Sequence, residues 1–393
     1  MNRTSQTVKI LVVDDEPDLQ HLILQKFRNK IKSNEYEFHF AENGAEALKK
    51  ITDDDNINLI LTDINMPVMD GLTLLSKINE LNNKLLRSVI VSAYGDMENI
   101  RTAMNRGAFD FITKPIDLKD LEITVEKSLK EIENYKQALL SRDKLIAIQQ
   151  ELDIATGIQT SILPKTFPAF PGRKEFDIYA KMIPAKEVGG DLYDFFLIDK
   201  YRLGIIIGDV SGKGIASALL MAVCKSLLKA TALKGMPADN VLSEVNNILA
   251  DESPSNMFVT VFYGVLDTRN GSFEYSNAGH NPPYLISADG KVSMLDNIGG
   301  LMLGAMKNSE YESNILSVKS NESIFLYTDG VTEAFDKDEN EFHDSRLYDS
   351  LAKNNTSPAV QLVENIIGEV QNFTGGVDQS DDITCMALKY LKG

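Results

Sequence analysis

Residues from about Leu118 to Leu163 contain no proline, and their first glycine is Gly157. An apolar pattern at helical spacing with no breaker over that span predicts one long helix. At 1.5 Å of rise per residue it is too long to be enclosed by one small domain. The helix therefore divides the chain into residues 1–122, a helical linker at 123–165, and residues 166–393. Leu118, Val125, Ile132, Leu139 and Ile146 recur every seven residues, with Leu121 and Tyr135 in the companion position; Ser128, Arg142 and Gln149 make that position polar elsewhere. A second phase follows at Leu145, Ile148, Leu152, Ala155 and Ile162. The pattern fits a surface helix packed on its own domain or a coiled coil. Its place between two domains favours the coiled coil, with a phase shift near 142–149, and hence a homodimer.

The first 122 residues alternate strand and helix five times, with strand runs at Val8–Val13, Glu37–Ala41, Asn58–Leu61, Ser88–Val91 and Phe109–Ile112. This predicts an α/β, doubly wound, five-stranded parallel sheet whose C-terminal strand ends share one edge. Asp14 and Asp15 follow the first strand, Asp63 the third, Ser92 the fourth and Lys114 the fifth. Three carboxylates brought together there repel unless a divalent cation joins them, and magnesium suits an oxygen shell. An aspartate beside a metal and a lysine can accept a phosphoryl group as an acyl phosphate.

This set resembles the receiver domain of two-component response regulators over residues 8–125. The resemblance implies Asp63 as phosphoacceptor and Asp14, Asp15, Asp63 and the Asn65 carbonyl around magnesium. It also implies Ser92, Phe111 and Lys114 as the parts that sense and pair with the phosphoryl group, and a sensor histidine kinase as partner. Met66-Pro67 and Asp70-Gly71 match the loop after the phosphorylated strand.

Beyond residue 165, strand runs surround a pair of helical tracts, Ala216–Leu233 and Asn240–Ala250, with a late helix at Pro358–Phe373. An α+β domain is expected. Four acidic clusters sit beside its strands: Gly189-Gly190-Asp191; Gly208-Asp209-Val210-Ser211-Gly212-Lys213-Gly214; Asp329-Gly330 within Tyr327–Glu333; and Asp381-Asp382. Each alone reads as an acidic turn. Together, carboxylates far apart in sequence at sheet edges are what a site for two hard cations needs. Gly208–Gly214 is not a phosphate-binding loop, since it is one residue short and has Gly214 where Ser or Thr is required. Four histidines and two cysteines at no ligand spacing argue against zinc. Cys224, in an apolar helix, reads as core rather than as a thiol nucleophile.

These clusters, with Ile158-Gln159 to Ile162-Leu163-Pro164, Met257-Phe258-Val259-Thr260 and Ala278-Gly279-His280-Asn281-Pro282, resemble the SpoIIE-like branch of the metal-dependent Ser/Thr protein phosphatases. The resemblance covers about residues 148–390 and implies a β-sandwich with two magnesium or manganese ions. It implies Asp209 bridging both ions, the Val210 carbonyl on one, Asp329 and Asp381 completing the shell, and Asp191 acting through water. Asp382 is the alternative to Asp381. Ser211 replaces the histidine that some distant relatives use as general acid; His280 is either that acid or a turn residue. The implied reaction is phosphomonoester hydrolysis by in-line attack of water, and the implied substrate is a phosphorylated anti-sigma-factor antagonist. A non-catalytic adaptor under receiver control is the alternative, and it predicts that the carboxylates are lost.

The formal net charge of −17 argues against nucleic acid as the main partner, because phosphate backbones require basic patches. The polar start Met1–Thr7 gives no signal peptide, and the apolar runs at Ile205–Ile207 and Ala218–Val223 are too short to span a membrane. With only two cysteines, a cytoplasmic, reducing location is expected.

Overall fold

The structure is a computed structural model that describes residues 7–93, 95–252 and 257–392. The Met1–Gln6 segment, read above for the lack of a leader, lies outside these residues. The chain divides into two compact units, Met1–Ala147 and Ile148–Gly393.

In the first unit the strands are β1 (Val8–Val13), β2 (Tyr36–Ala41), β3 (Ile57–Asp63), β4 (Arg87–Ala93) and β5 (Asp110–Lys114). The helices are α1 (Pro17–Lys26), α2 (Arg28–Lys32), α3 (Gly44–Asp53), α4 (Gly71–Glu80) and α5 (Met97–Asn105), and α6 (Leu118–Ile162) begins in this unit and ends in the second. The sheet is parallel throughout, in the order β2-β1-β3-β4-β5. Successive residues of β1 go to opposite faces: Ile10 and Val12 join one core with Leu59 and Leu61, and Leu11 and Val13 join the other with Ile60. Both faces are apolar because helices cover both.

Helix α6 is a single helix of 45 residues, as the absence of breakers predicts. Its first turns are not a coiled-coil seam. Leu121 and Val125 are fully buried in the receiver core, and Leu129 packs against it. Ser128, read above as a polar interruption, is also fully buried, its hydroxyl donating to the Thr124 carbonyl at 2.7 Å. The reading of a surface helix packed on its own domain therefore holds for this stretch, which continues past residue 122. Further along, Leu140, Leu145, Ile146, Ile148, Ile154 and Ile158 are exposed.

In the second unit the strands are β6 (Phe176–Ile183), β7 (Leu192–Leu197), β8 (Arg202–Val210), β9 (Val259–Asp267), β10 (Ser272–Ala278), β11 (Tyr284–Ile286), β12 (Val292–Met294), β13 (Gly299–Gly300), β14 (Asn314–Ser317), β15 (Ser323–Tyr327) and β16 (Ile383–Tyr390). Its helices are α7 (Ile215–Ala232), α8 (Ala238–Glu252), α9 (Asp329–Thr332), α10 (His343–Lys353) and α11 (Ala359–Thr374). One sheet runs β13-β10-β9-β8-β7, with β14 on β10; the other runs β12-β11-β15-β16-β6. Alternation along the strands builds three cores. Leu203, Ile205 and Ile207 meet Ile324, Leu326 and Met386 between the sheets. Ile206 and Val210 face Met221, Cys224 and Leu228 of α7. Phe325 and Tyr327 face Ile366, Ile367 and Val370 of α11. The result is a two-sheet sandwich with a helical layer on each outer face.

Helix α7 is long and apolar enough to cross a membrane by length and composition, which the shorter runs noted in the sequence did not suggest. One side of it supplies core residues of the sandwich.

Candidate active sites

In the receiver, parallel strands deliver the acidic residues to one sheet edge. Asp14, Asp15 and Asp63 each place one carboxylate oxygen so that all lie within 4.8 Å of one another. Among the described residues this is the only such group of three acidic, histidine or cysteine ligands. The Lys114 ammonium is 2.5 Å from Asp63 and 2.9 Å from Asp14. Burial works against its charge, but the bonds to Asp63 and Asp14 outweigh that and hold its pKa above the ordinary value. Asp63 is 9 % exposed, and its carboxylate accepts the Asn65 N–H at 3.2 Å. Ser92 is buried, with its hydroxyl donating to Asp96 at 3.4 Å, and Phe111 is exposed. The donor set is all oxygen with one lysine beside it, which fits a magnesium ion and a phosphoryl group.

In the sandwich, antiparallel pairing brings the start of β7 beside the end of β8, with Leu192 opposite Gly208. It likewise brings the end of β15 beside the start of β16, with Tyr327 opposite Cys385. Asp191, Asp209, Asp329 and Asp381 flank these four strand ends and gather at one end of the sandwich. Asp191 is 1 % exposed and accepts hydroxyls from Thr328 at 2.8 Å and Thr384 at 2.5 Å. Burial, then Asp209 and Asp382, push its carboxyl well above the usual range. Asp209 is pushed up to about 7 by burial and then by Asp329 and Asp381, against a hydrogen bond with Asp191. Burial and Asp381 raise Asp329 as well. Carboxyls that must keep protons to sit together are a donor set that divalent cations relieve, and the oxygen chemistry fits magnesium or manganese. A Cβ on Gly190 would stand 2.9 Å from the Val210 carbonyl oxygen and 3.2 Å from Asp209 Oδ1. Glycine there keeps open the space beside both candidate ligands.

Asp381 and Asp382 point to different tasks. Asp382 is buried, and its carboxylate accepts backbone N–H groups of Ala185 at 2.8 Å, Gly190 at 2.6 Å and Asp191 at 3.3 Å. Asp381 is more open and pairs with Lys213 at 2.7 Å. The Asp381 carboxylate also accepts the Asp382 N–H at 2.8 Å. His280 is buried, with Nδ1 3.0 Å from the Thr260 hydroxyl and its backbone bracketed by the Asn277 side chain. Burial lowers its pKa to about 4. Its Nε2 is buried with no hydrogen-bond partner among the described residues. The Ser211 hydroxyl accepts the Phe258 N–H at 3.0 Å and so pins the loop after Asp209.

Several participants were not singled out from the sequence. Thr328 and Thr384 clamp Asp191, Lys213 pairs with Asp381, and Gln159 binds Gly189. Each lies inside or next to a motif already noted, and adjacency was the only available signal. Asp194 and Lys225, a buried pair at 2.7 Å joining β7 to α7, carry no motif at all.

The parallel sheet and the two-sheet sandwich, each with its acidic cluster, correspond to two known families. Residues 10–126 match the response regulator receiver domain, and residues 199–391 match Stage II sporulation protein E (SpoIIE). Phosphoserine phosphatase RsbU of Bacillus subtilis is 30% identical over 263 residues, 65% of this chain and 76% of RsbU. Protein IcfG of Synechocystis sp. is 31% identical over 265 residues, 61% of this chain; the chain spans only 41% of IcfG. The SiaA-PP2C domain of Pseudomonas aeruginosa has the same fold, with a TM-score of 0.55 and 21% identity over 63% of this chain and 98% of that one. The chain belongs to the RsbU family of SpoIIE-type protein phosphatases.

Proposed function

We propose that this protein is a response regulator whose receiver, phosphorylated on Asp63 by a sensor histidine kinase, controls dephosphorylation of a phosphoserine or phosphothreonine protein. The substrate we infer from the resemblance to SpoIIE-like phosphatases is an anti-sigma-factor antagonist; the relative RsbU is a phosphoserine phosphatase. The observation that carries this is the convergence of Asp191, Asp209, Asp329 and Asp381 from four distant segments. A non-catalytic adaptor has no need to keep that costly cluster intact.

Asp209, Asp329, Asp381 and the Val210 carbonyl would hold two magnesium or manganese ions, with Asp191 behind them and Asp382 fastening the loop. Ions bound there supply Lewis acidity toward the phosphoryl oxygens and an activated water. The protein's own part is to orient and to balance charge. Thr328 and Thr384 fix the Asp191 carboxyl, and Lys213 offsets the Asp381 charge. Asp14, Asp15 and the Asn65 carbonyl would hold magnesium in the receiver, with Lys114 neutralising the phosphoryl group on Asp63. Ser92 and Phe111 would respond to it. The exposed apolar residues of α6 between 140 and 158 would pair two chains as a homodimer.

The test is phosphate release from a phosphorylated antagonist protein with manganese present. Release by the wild-type chain should disappear in Asp209→Asn, while circular dichroism shows the fold unchanged. Substantial release by that variant at saturating manganese would remove the two-metal assignment.

A further inference from the structure

The last turns of α6 show an inverted polarity. Ile158 is 59 % exposed, and its neighbour Gln159 is 6 % exposed. Burying an amide while an isoleucine faces water is unfavourable unless the amide is fully used. Gln159 uses both ends of its side chain on one residue. Its Nε2 donates to the Gly189 carbonyl at 2.5 Å, and its Oε1 accepts the Gly189 N–H at 3.1 Å. One turn earlier the Thr156 hydroxyl lies 2.6 Å from the Glu187 carbonyl and 2.9 Å from its own Leu152 carbonyl.

The same loop is held from its other side by the Asp382 carboxylate, through the N–H groups of Gly190 and Asp191. No side chain fits at Gly189, where a Cβ would stand 2.3 Å from Asp382 Oδ2. The next residue, Gly190, faces Asp209 Oδ1 and the Val210 carbonyl, and Asp191 follows. Residues 187–191 are thus clamped between the end of α6 and Asp382, and within that stretch Gly190 faces the candidate ligands Asp209 and Val210.

We propose that Gln159 is a positioning residue for the phosphatase metal site. By holding both polar groups of Gly189, it keeps Gly190 and Asp191 against Asp209 and so sets the affinity for divalent ions. This rests on the metal-dependent phosphatase reading above. Groups that orient ligands from behind typically change metal affinity by about 10–100-fold when lost. Gln159→Met keeps the length and helix preference of the side chain and removes both hydrogen bonds. It should weaken manganese binding by about tenfold. Thr156→Val removes the weaker anchor and should act in the same direction by a smaller factor.

The experiment uses the full chain with Asp15→Asn added throughout, so that the receiver pocket contributes little. Manganese binding is read from loss of the free-ion electron paramagnetic resonance signal, and unfolding is followed in chelator. The expected result is weaker manganese binding in Gln159→Met, with a thermal midpoint in chelator close to wild type and phosphatase rate recovered at saturating manganese. Wild-type affinity in both variants would overturn the proposal, as would a slower Gln159→Met enzyme with unchanged affinity. If Gln159→Met does not fold, Thr156→Val decides: weaker binding supports the proposal and unchanged binding overturns it. Failure of the reading beneath it looks different, because the parent chain itself would then show no manganese binding that Asp209→Asn removes.

Discussion

Asp209 is the residue at which burial and charge oppose each other most directly. Its carboxyl is pushed up to about 7 by burial and by Asp329 and Asp381. A carboxyl whose folded-state pKa lies above its unfolded value, near 3.8, holds its proton more tightly in the folded chain. Its stabilising contribution is complete below the unfolded value and is lost as pH rises through the folded one. Asp191 is shifted in the same direction. In chelator, the thermal midpoint should therefore fall between pH 6 and pH 8, manganese should restore it, and Asp209→Asn should flatten the slope. A midpoint in chelator that stays flat over that range would show that the pair ionises without penalty. The acidic motifs themselves were legible in the sequence, because an aspartate beside glycine at a strand end is a local pattern. Their partners were not. Thr384 and Gln159 matter only through neighbours 193 and 30 residues away, and no local pattern records such a pairing.

Strands with uniform chemistry were legible, as in the apolar run of β1. Strand β7 is harder to read, because Asp194 interrupts its apolar run and nothing in the sequence says that Lys225 and Lys229 of α7 neutralise it. Helix α10 was missed because its exposed face makes it polar overall, with only Leu347, Ser350 and Leu351 buried. Two predictions belong to this scale. Lys225→Met breaks a buried ion pair and leaves Asp194 only the half-exposed Lys229, so it should cost about 3 kcal/mol in urea unfolding. A loss below about 0.5 kcal/mol would mean that α7 is held by packing alone. In α6, Leu121→Ala should destabilise the receiver by about 3 kcal/mol, because that side chain is fully buried. Leu145→Ala at an exposed position should leave monomer stability unchanged and weaken self-association in sedimentation. The heptad pattern misled in its first half because a receiver-facing helix and a coiled-coil seam share nearly the same spacing, and only burial separates Val125 from Leu145.

For the whole molecule, both sites sit where strand topology collects side chains: at the C-terminal edge of a parallel sheet and at one end of a sandwich. The domain order, the parallel sheet and the α+β character of the second unit could be read from the sequence because each rests on periodicity over many residues; the sandwich was implied only by the family resemblance. Coupling between the sites could not, since it depends on states rather than on residues. We propose that Asp63 governs an Asp209-dependent phosphatase. The most direct measurement is phosphate release from a phosphoserine-bearing antagonist protein by the full chain, with manganese, before and after treatment with acetyl phosphate. The rate should change on treatment in the wild type and stay fixed in Asp63→Ala, which should also lose acid-labile labelling. The same change in Asp63→Ala, or no release from the wild type at saturating manganese, would contradict the claim.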